Sequence, residues 1–213
     1  MTVEALAGMA HEARHARREP VGWDLSMHIL DIAQNSAKAG AARIEIRVDE
    51  DPEADTLRIV VTDNGRGMDA STAARVTDPR VTTRRTGVVG HGLPLLRQAA
   101  EAAGGGLRVV SEPGAGTRVE AAFGLGHLGR APLGDVETTV LVLMASHPEV
   151  DLDWTHRRGS REYSLATADL RAALDGASLS SPDGLALLRS AVRRGEQSLT
   201  ATPDTRSRTE NQP

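Results

Sequence analysis

Asp31 and Asn35 stand four residues apart in the run DIAQN, a spacing that puts both side chains on one face of a helix. Asparagine offers a neutral carbonyl oxygen suited to a hard cation such as magnesium, which keeps waters and bridges to phosphates. A carboxylate one turn earlier can hold or deprotonate a water beside a terminal phosphate. The same pair also suits the solvated side of an amphipathic helix. A second group, Asp63-Asn-Gly-Arg-Gly67-Met, directly follows a run rich in Ile and Val. A half-buried carboxylate at a strand end can accept from an adenine amino group, while Gly65 and Gly67 let the backbone turn closely past the ring. A plain D-N-G turn is the other reading. A third, Gly90-His91-Gly92-Leu93, opens an apolar run. Amides at a glycine-opened helix N-terminus cradle phosphate, although such glycines also mark ordinary loop-to-helix junctions.

Two other common routes to ATP binding are closed. Lys38 is the only lysine, and DIAQNSAK before it lacks the glycines of G-x-x-x-x-G-K-[ST]. It also sits in a helical pattern, where a protein-kinase fold needs a strand lysine. The absence of cysteine removes disulfides, thiolate metal sites and cysteine nucleophiles. With a net charge of −4 and scattered arginines, no nucleic-acid footprint stands out. The first residues lack the apolar run of a signal peptide, and no stretch approaches the roughly 18 apolar residues of a membrane span. These features imply a cytoplasmic protein with neither membrane nor nucleic-acid partner.

The elements that must position these groups follow from periodicity. Leu25, Ile29, Ile32, Ala33 and Ala37 space a helix over residues 25–39, stopped by Gly40. Residues 43–49 alternate as a half-buried strand, and residues 56–63 form a second. A polar stretch to Val89 is partly helical near residues 70–76. LPLLRQAAEAAG reads as a helix with Pro94 in its first turn and Gly104 near its end. LRVVSE and TRVEAAF are strands around the turn Pro113-Gly114-Ala115-Gly116. The first 130 residues thus predict an antiparallel sheet with helices on one face, an α+β two-layer sandwich. With aromatics at 2 %, its core must be Ala, Val, Leu and Ile. Beyond GLGHLGRAPLG a small C-terminal α/β module is expected. It comprises a helix over 135–146, a hairpin turned at Gly159-Ser160 and two short helices. The polar tail TPDTRSRTENQP suggests disorder from about Ser198. The expected division is an N-terminal arm (1–20), an ATP-binding domain (21–126), the C-terminal module (127–197) and the tail (198–213).

Taken in order, the three groups resemble the GHKL superfamily of gyrase, the large heat-shock chaperone, histidine kinases and MutL. DIAQNSAKAGA (31–41) is similar to the MutL form of the N box, DNGRGM to the G1 box, and the sequence from GHGL to VEAAF to the histidine-kinase G2 region. The resemblance covers roughly residues 24–123 and implies a Bergerat-type ATP-binding fold with ATP and magnesium as cofactors. It implies that Asn35 ligates magnesium and Asp63 reads the adenine. Gly65 and Gly67 would line the base; Gly90, His91, Gly92 and Leu93 would face the phosphates; Thr117 would support the adenine side. The segment between Met68 and Val89 would be the ATP lid, with Arg84 and Arg85 as candidate phosphate contacts. Three departures stand out: Asp31 where the family's ATPases carry Glu, Pro94 at the second G2 glycine of the kinases, and Arg80 where kinase lids often have an aromatic after Asp-Pro.

Two further patterns lie near the N-terminus. His11-Glu-Ala-Arg-His15 matches H-E-x-x-H, but in a short Arg-rich segment ending at Pro20 it reads as a solvated helix face. His11-Glu12 also suggests a phosphoacceptor box. At ~1.5 Å per residue, the chain between it and Asn35 is too short for a useful two-helix hairpin. Three functions stay open. One is a regulator that uses Mg-ATP to control a protein partner through the C-terminal module or lid. The others are a kinase acting in trans, like the anti-sigma serine kinases, and a slow ATPase with Asp31 as candidate base.

Overall fold

The computed structural model describes residues 24–76, 92–174 and 176–201. Four strands come from the first part of the chain: β1 (Arg43–Asp51), β2 (Thr56–Asp63), β3 (Gly106–Glu112) and β4 (Gly116–Gly124). They pair antiparallel in the order β3-β4-β2-β1. Two more, β5 (Asp151–Arg158) and β6 (Arg161–Ala166), continue the same sheet beyond β1, with β5 parallel to β1 and β6 antiparallel to β5. The hairpin expected in the C-terminal segment therefore forms, but as an extension of the first sheet.

Alternation decides which side each strand buries. Ile44, Ile46 and Val48 of β1, Leu57, Ile59 and Val61 of β2, and Val119, Ala121 and Phe123 of β4 all face one core. Leu152 and Trp154 of β5 join the same core, so the β1 edge is covered by a strand with a matching apolar face. The opposite face is polar. There Arg43 pairs with Asp153 at 2.6 Å, Arg157 with Asp49 at 2.7 Å, and Arg58 and Arg118 with Glu120.

Helices cover the apolar face: α1 (Leu25–Lys38), α2 (Ala70–Arg75), α3 (Gly92–Ala102), α4 (Val136–Ser146), α5 (Thr167–Ala172) and α6 (Pro182–Thr200). Asp24 caps α1 by accepting from the Met27 amide at 2.9 Å. The next free amides of α1, on Leu25 and Ser26, donate to the carbonyls of Pro132 and Leu133, so the 125–134 loop anchors this helix. α4 lies between α1 and α6 and is apolar nearly all round, with Val140, Leu141, Val142, Leu143, Met144 and Ala145 buried. α3 ends as the sequence predicts, with Gly104 at φ +73°.

Two expectations change at the C-terminal end. The second of the two short helices is α6, with 19 residues. The helix also runs to Thr200, past the point where a polar tail was expected. Leu199 is 3 % exposed and holds the last turn to the core, while the Ser198 and Thr200 hydroxyls donate to the Gly195 and Gln197 carbonyls.

Candidate functional site

The site grows from the C-terminal end of β2. Asp63 is the last inward-facing residue of that strand and is 9 % exposed. Its Oδ1 accepts from the Gly65 amide at 2.9 Å, and its Oδ2 accepts from Ser36 Oγ at 2.6 Å. Each carboxylate oxygen keeps a second acceptor position, so the group is fixed in orientation yet can still accept a further donor. Ser36 lies on the core face of α1, four residues after Ile32. The sequence signals it as a polar residue in an apolar stripe, and sequence reasoning passed over it.

The loop after Asp63 is sewn to both sides. Asn64 Oδ1 accepts from the Ala42 and Arg43 amides at 2.9 and 2.8 Å, which fixes the start of β1. The Arg66 amide donates to the Ala39 carbonyl at the end of α1, and the Arg66 carbonyl accepts from the Gly114 amide. Gly67 sits at φ +65°, and a Cβ there would lie 1.9 Å from the Glu112 carbonyl oxygen. Gly116, at φ +88°, would place its Cβ 1.9 Å from the Asp63 carbonyl oxygen. Side chains are thus excluded where the loop passes the β3–β4 turn.

Thr117 is the cross-strand partner of Asp63, so both side chains leave the sheet on the same face. Its hydroxyl lies 2.9 Å from Ser111 Oγ, which also accepts from the Met68 amide at 2.8 Å. Ser111 is another residue the sequence reading missed; it links the row Asp63–Thr117 to the start of α2. That short helix has no buried residue. Asp69 caps it, and hydrogen bonds from the Ser71 hydroxyl and the Thr72 amide and hydroxyl hold its carboxyl down to about 2.

On α1, next to Ser36, Asn35 Nδ2 donates one turn back to Asp31 Oδ2 at 3.2 Å. The helix face expected for this pair is realised. With the amide nitrogen committed to Asp31, the Asn35 carbonyl oxygen is left to point elsewhere. Asp31 packs against the first turn of α3: a Cβ on Gly92 would fall 1.9 Å from Asp31 Oδ2. Burial raises the Asp31 carboxyl above the ordinary Asp value, against the opposing effects of Lys38 and the Asn35 hydrogen bond. Nearby His28 is 2 % exposed, and its burial lowers its pKa despite the Asp24 charge.

The structure therefore brings Asp31, Asn35, Asp63, Gly65, Gly67, Gly92, Leu93 and Thr117 to one end of the helix-covered face. Leu93 is half-buried and packs on the core. Arg84, Arg85, Gly90 and His91 lie outside the described residues, as do His11, Glu12 and His15. Among the described residues no group of three His, Asp or Glu side chains could hold a metal ion. Asn35 offers a neutral hard oxygen donor, which fits a magnesium ion that takes its remaining ligands from water and phosphate.

Fold and site together define an α+β sandwich whose polar residues gather where β2, β4, α1 and α3 meet. Residues 24–127 match the family of histidine kinase-, DNA gyrase B-, and HSP90-like ATPases, and this part of the chain belongs to it. Among curated proteins, the sensor protein kinase FleS of Pseudomonas aeruginosa is 39 % identical over 89 residues, covering 42 % of this chain and 22 % of its own length. The signal transduction histidine-protein kinase AtoS of Escherichia coli is 36 % identical over 93 residues, covering 43 % of this chain and 15 % of its own. The chain thus spans less than a quarter of the length of these relatives. Among solved structures, the N-terminal domain of a DNA repair protein aligns with 67 % of this chain and 52 % of its own, at 16 % identity and a TM-score of 0.46. The histidine kinase domain of the Erythrobacter litoralis EL346 blue-light activated histidine kinase aligns with 40 % and 34 %, at 22 % identity and 0.29. No helix among the described residues is long and apolar enough to cross a membrane.

Proposed function

We propose that the chain is a cytoplasmic Mg-ATP-binding regulatory protein that uses nucleotide to control a contact with a protein partner. The observation that carries this reading is the convergence of a buried, pre-oriented Asp63 with the Asp31–Asn35 pair and the N-terminus of α3. Asp63, held by Ser36 and Gly65, would accept from the adenine amino group, with Gly65 and Gly67 beside the ring and Thr117 on the same face. Gly92 and Leu93, together with Gly90 and His91, would meet the phosphates, and Arg84 and Arg85 would close on them from the lid. Asn35 would hold magnesium, which supplies charge neutralisation at the phosphates. The partner would bind the lid or the C-terminal segment. The ion-paired, charge-balanced open face of the sheet supports a protein partner over nucleic acid.

One observation keeps a hydrolytic reading beside this one. Asp31 is a half-buried carboxylate with a raised pKa beside the phosphate end, as a general base requires. Transfer to a protein in trans is the remaining route for the terminal phosphate. Incubation with ATP labelled in the γ-phosphate, alone and with cell lysate, separates the three. Label that stays on ATP supports the regulator, label in free phosphate the ATPase, and label on a protein the kinase. Calorimetry with ATP-Mg tests their common premise; absence of heat and of any thermal shift would remove all three.

A further inference from the structure

A second polar centre lies at the other end of the same sheet. β1 and β2 pair Ile44 with Asp63 at one end and Glu50 with Leu57 at the other, about 20 Å along the strands. There, His156 of β5 is 2 % exposed and bridges two carboxylates. Its Nε2 lies 3.0 Å from Glu50 Oε1 and its Nδ1 lies 2.9 Å from Glu196 Oε1 on α6. Tyr163 donates its hydroxyl to Glu196 and accepts from Trp154 Nε1 at 3.0 Å. None of these residues touches the nucleotide motifs.

The bridge borders a cleft of about 290 Å³. Its polar wall also holds Arg130 and Arg158; Leu57, Pro132, Leu133 and Leu199 supply the apolar wall. The Arg130 guanidinium is fixed by donating from Nε to the Leu125 carbonyl at 2.7 Å and from Nη1 to the Ala131 carbonyl at 3.1 Å. Among the described residues its Nη2 has no hydrogen-bond acceptor. Arg158 reaches Glu50 only through Nε, at 3.9 Å, and among the described residues its two Nη groups have no hydrogen-bond acceptor. Burial works against a charged His156, yet its hydrogen bonds to Glu196 and Glu50 carry it up to about 9. At neutral pH the lining thus holds three cations, Arg130, Arg158 and His156, against two anions, Glu50 and Glu196.

We propose that this cleft is a binding site for a small organic monoanion, a carboxylate with a short apolar body. The headgroup takes the spare N–H groups of Arg158 and Arg130, which suit a carboxylate in fork geometry. One negative charge balances the lining. The hydrocarbon end lies on Leu57, Pro132 and Leu133. Sites for drug-sized ligands span roughly 300–1,000 Å³, so this volume, at the lower edge of that range, suits a molecule of a few carbons.

The test is an NMR titration of the full chain with sodium butyrate, using butyramide as the neutral isostere and n-butylamine as the cation. Butyrate is expected to give a saturable one-site shift of the His156 ring and Arg158 side-chain signals; the other two probes are expected to give none. Arg158→Gln should weaken butyrate by roughly tenfold or more through loss of a charge-assisted pair, and Arg158→Lys by less. Both variants should keep the ATP-Mg affinity of the parent, which also reports that they are folded. Equal shifts with butyramide, no saturable shift with butyrate, signals that move only near Asp63, or unchanged butyrate affinity in Arg158→Gln would each overturn the proposal.

Discussion

Ser36 Oγ donates to Asp63 Oδ2 at 2.6 Å, joining α1 to the end of β2 inside the core. The bond holds in place the carboxylate proposed to read adenine, and Ser36 needs no contact with nucleotide to matter. Ser36→Ala leaves one oxygen of a buried carboxylate short of a donor, which costs about 1.5–3 kcal/mol. Asp63→Ala strands Ser36 Oγ and the Gly65 amide and also removes the acceptor proposed for adenine. In calorimetry with ATP-Mg, Asp63→Ala is expected to abolish binding and Ser36→Ala to weaken it. Parental affinity in Asp63→Ala would show that adenine is read elsewhere.

Two glycines of the loop after Asp63 should respond differently to alanine. At Gly67 the added Cβ meets the Glu112 carbonyl oxygen at 1.9 Å on a backbone at φ +65°. Left-handed backbone alone costs a non-glycine residue about 1–2 kcal/mol, and here the clash is with main chain. At Gly65 the nearest atoms, the Ala39 carbonyl oxygen and Asp63 Oδ1, stand 3.1 Å away. Gly67→Ala is therefore expected to lower both the melting temperature and ATP affinity. Gly65→Ala should keep most of the stability and lose affinity. Thermal melts paired with nucleotide titrations check both; equal melting temperatures would contradict the close approach at Gly67.

Much of this site was legible because its motifs are local. DIAQN places Asp31 and Asn35 on one helical face whatever the fold, and β2 begins and ends where alternation puts it. Ser36 was less visible, since its meaning depends on a carboxylate 27 residues away. The pairing of β5 with β1 was not legible at all, because it joins Arg43 to Asp151 across more than a hundred residues with no local signal. In α6, Gly195 marks packing inside a continuous helix: a Cβ there would meet the Tyr163 ring at 2.3 Å. The His156 bridge needs β1, β5 and α6 together, so nothing in the run DWTHRR foretells it.

That bridge makes stability depend on pH. His156 is held at about 9 in the fold against 6.5 for the free side chain. A raised folded pKa gives stability that is complete below 6.5 and lost as pH rises through 9. The span corresponds to at most about 3 kcal/mol. Glu50 is shifted the other way, chiefly by its hydrogen bond with His156, so its contribution fades as pH falls below the ordinary value of 4.5. Arg158, Arg130, Glu196 and Tyr163 face the same ring and set its field. Urea unfolding of the parent should show falling stability between pH 6.5 and 9, and His156→Gln should flatten that slope. An unchanged slope in the variant would place the titration elsewhere.

Gly92→Ala addresses the contact between the two motif helices. Its Cβ would fall 1.9 Å from Asp31 Oδ2, the end of a side chain that can swing aside only by leaving Asn35. The expected result is a small change in melting temperature with a clear loss of magnesium-dependent ATP affinity. Unchanged affinity would mean that the Asp31–Asn35 geometry is not used.

Asp31 itself decides between hydrolysis and switching. Its carboxyl is raised by burial, so the fold disfavours its charge. The corresponding penalty is absent below the ordinary Asp value and develops as pH rises through the folded one. Asp31→Asn removes that penalty and keeps an oxygen that can accept from Asn35 Nδ2. The variant should therefore be at least as stable as the parent at neutral pH and bind ATP as well. If Asp31 orients the attacking water, Asp31→Asn should lose phosphate release by about a hundred- to ten-thousand-fold, the usual contribution of a placed base. Asp31→Glu restores the methylene that the family's ATPases carry and should raise turnover, provided the longer chain clears Gly92. Under the switch or trans-kinase readings, parent and both variants release phosphate at the same background rate. Phosphate release from the three proteins, with ATP binding confirmed for each, separates these outcomes; three equal background rates would eliminate the ATPase.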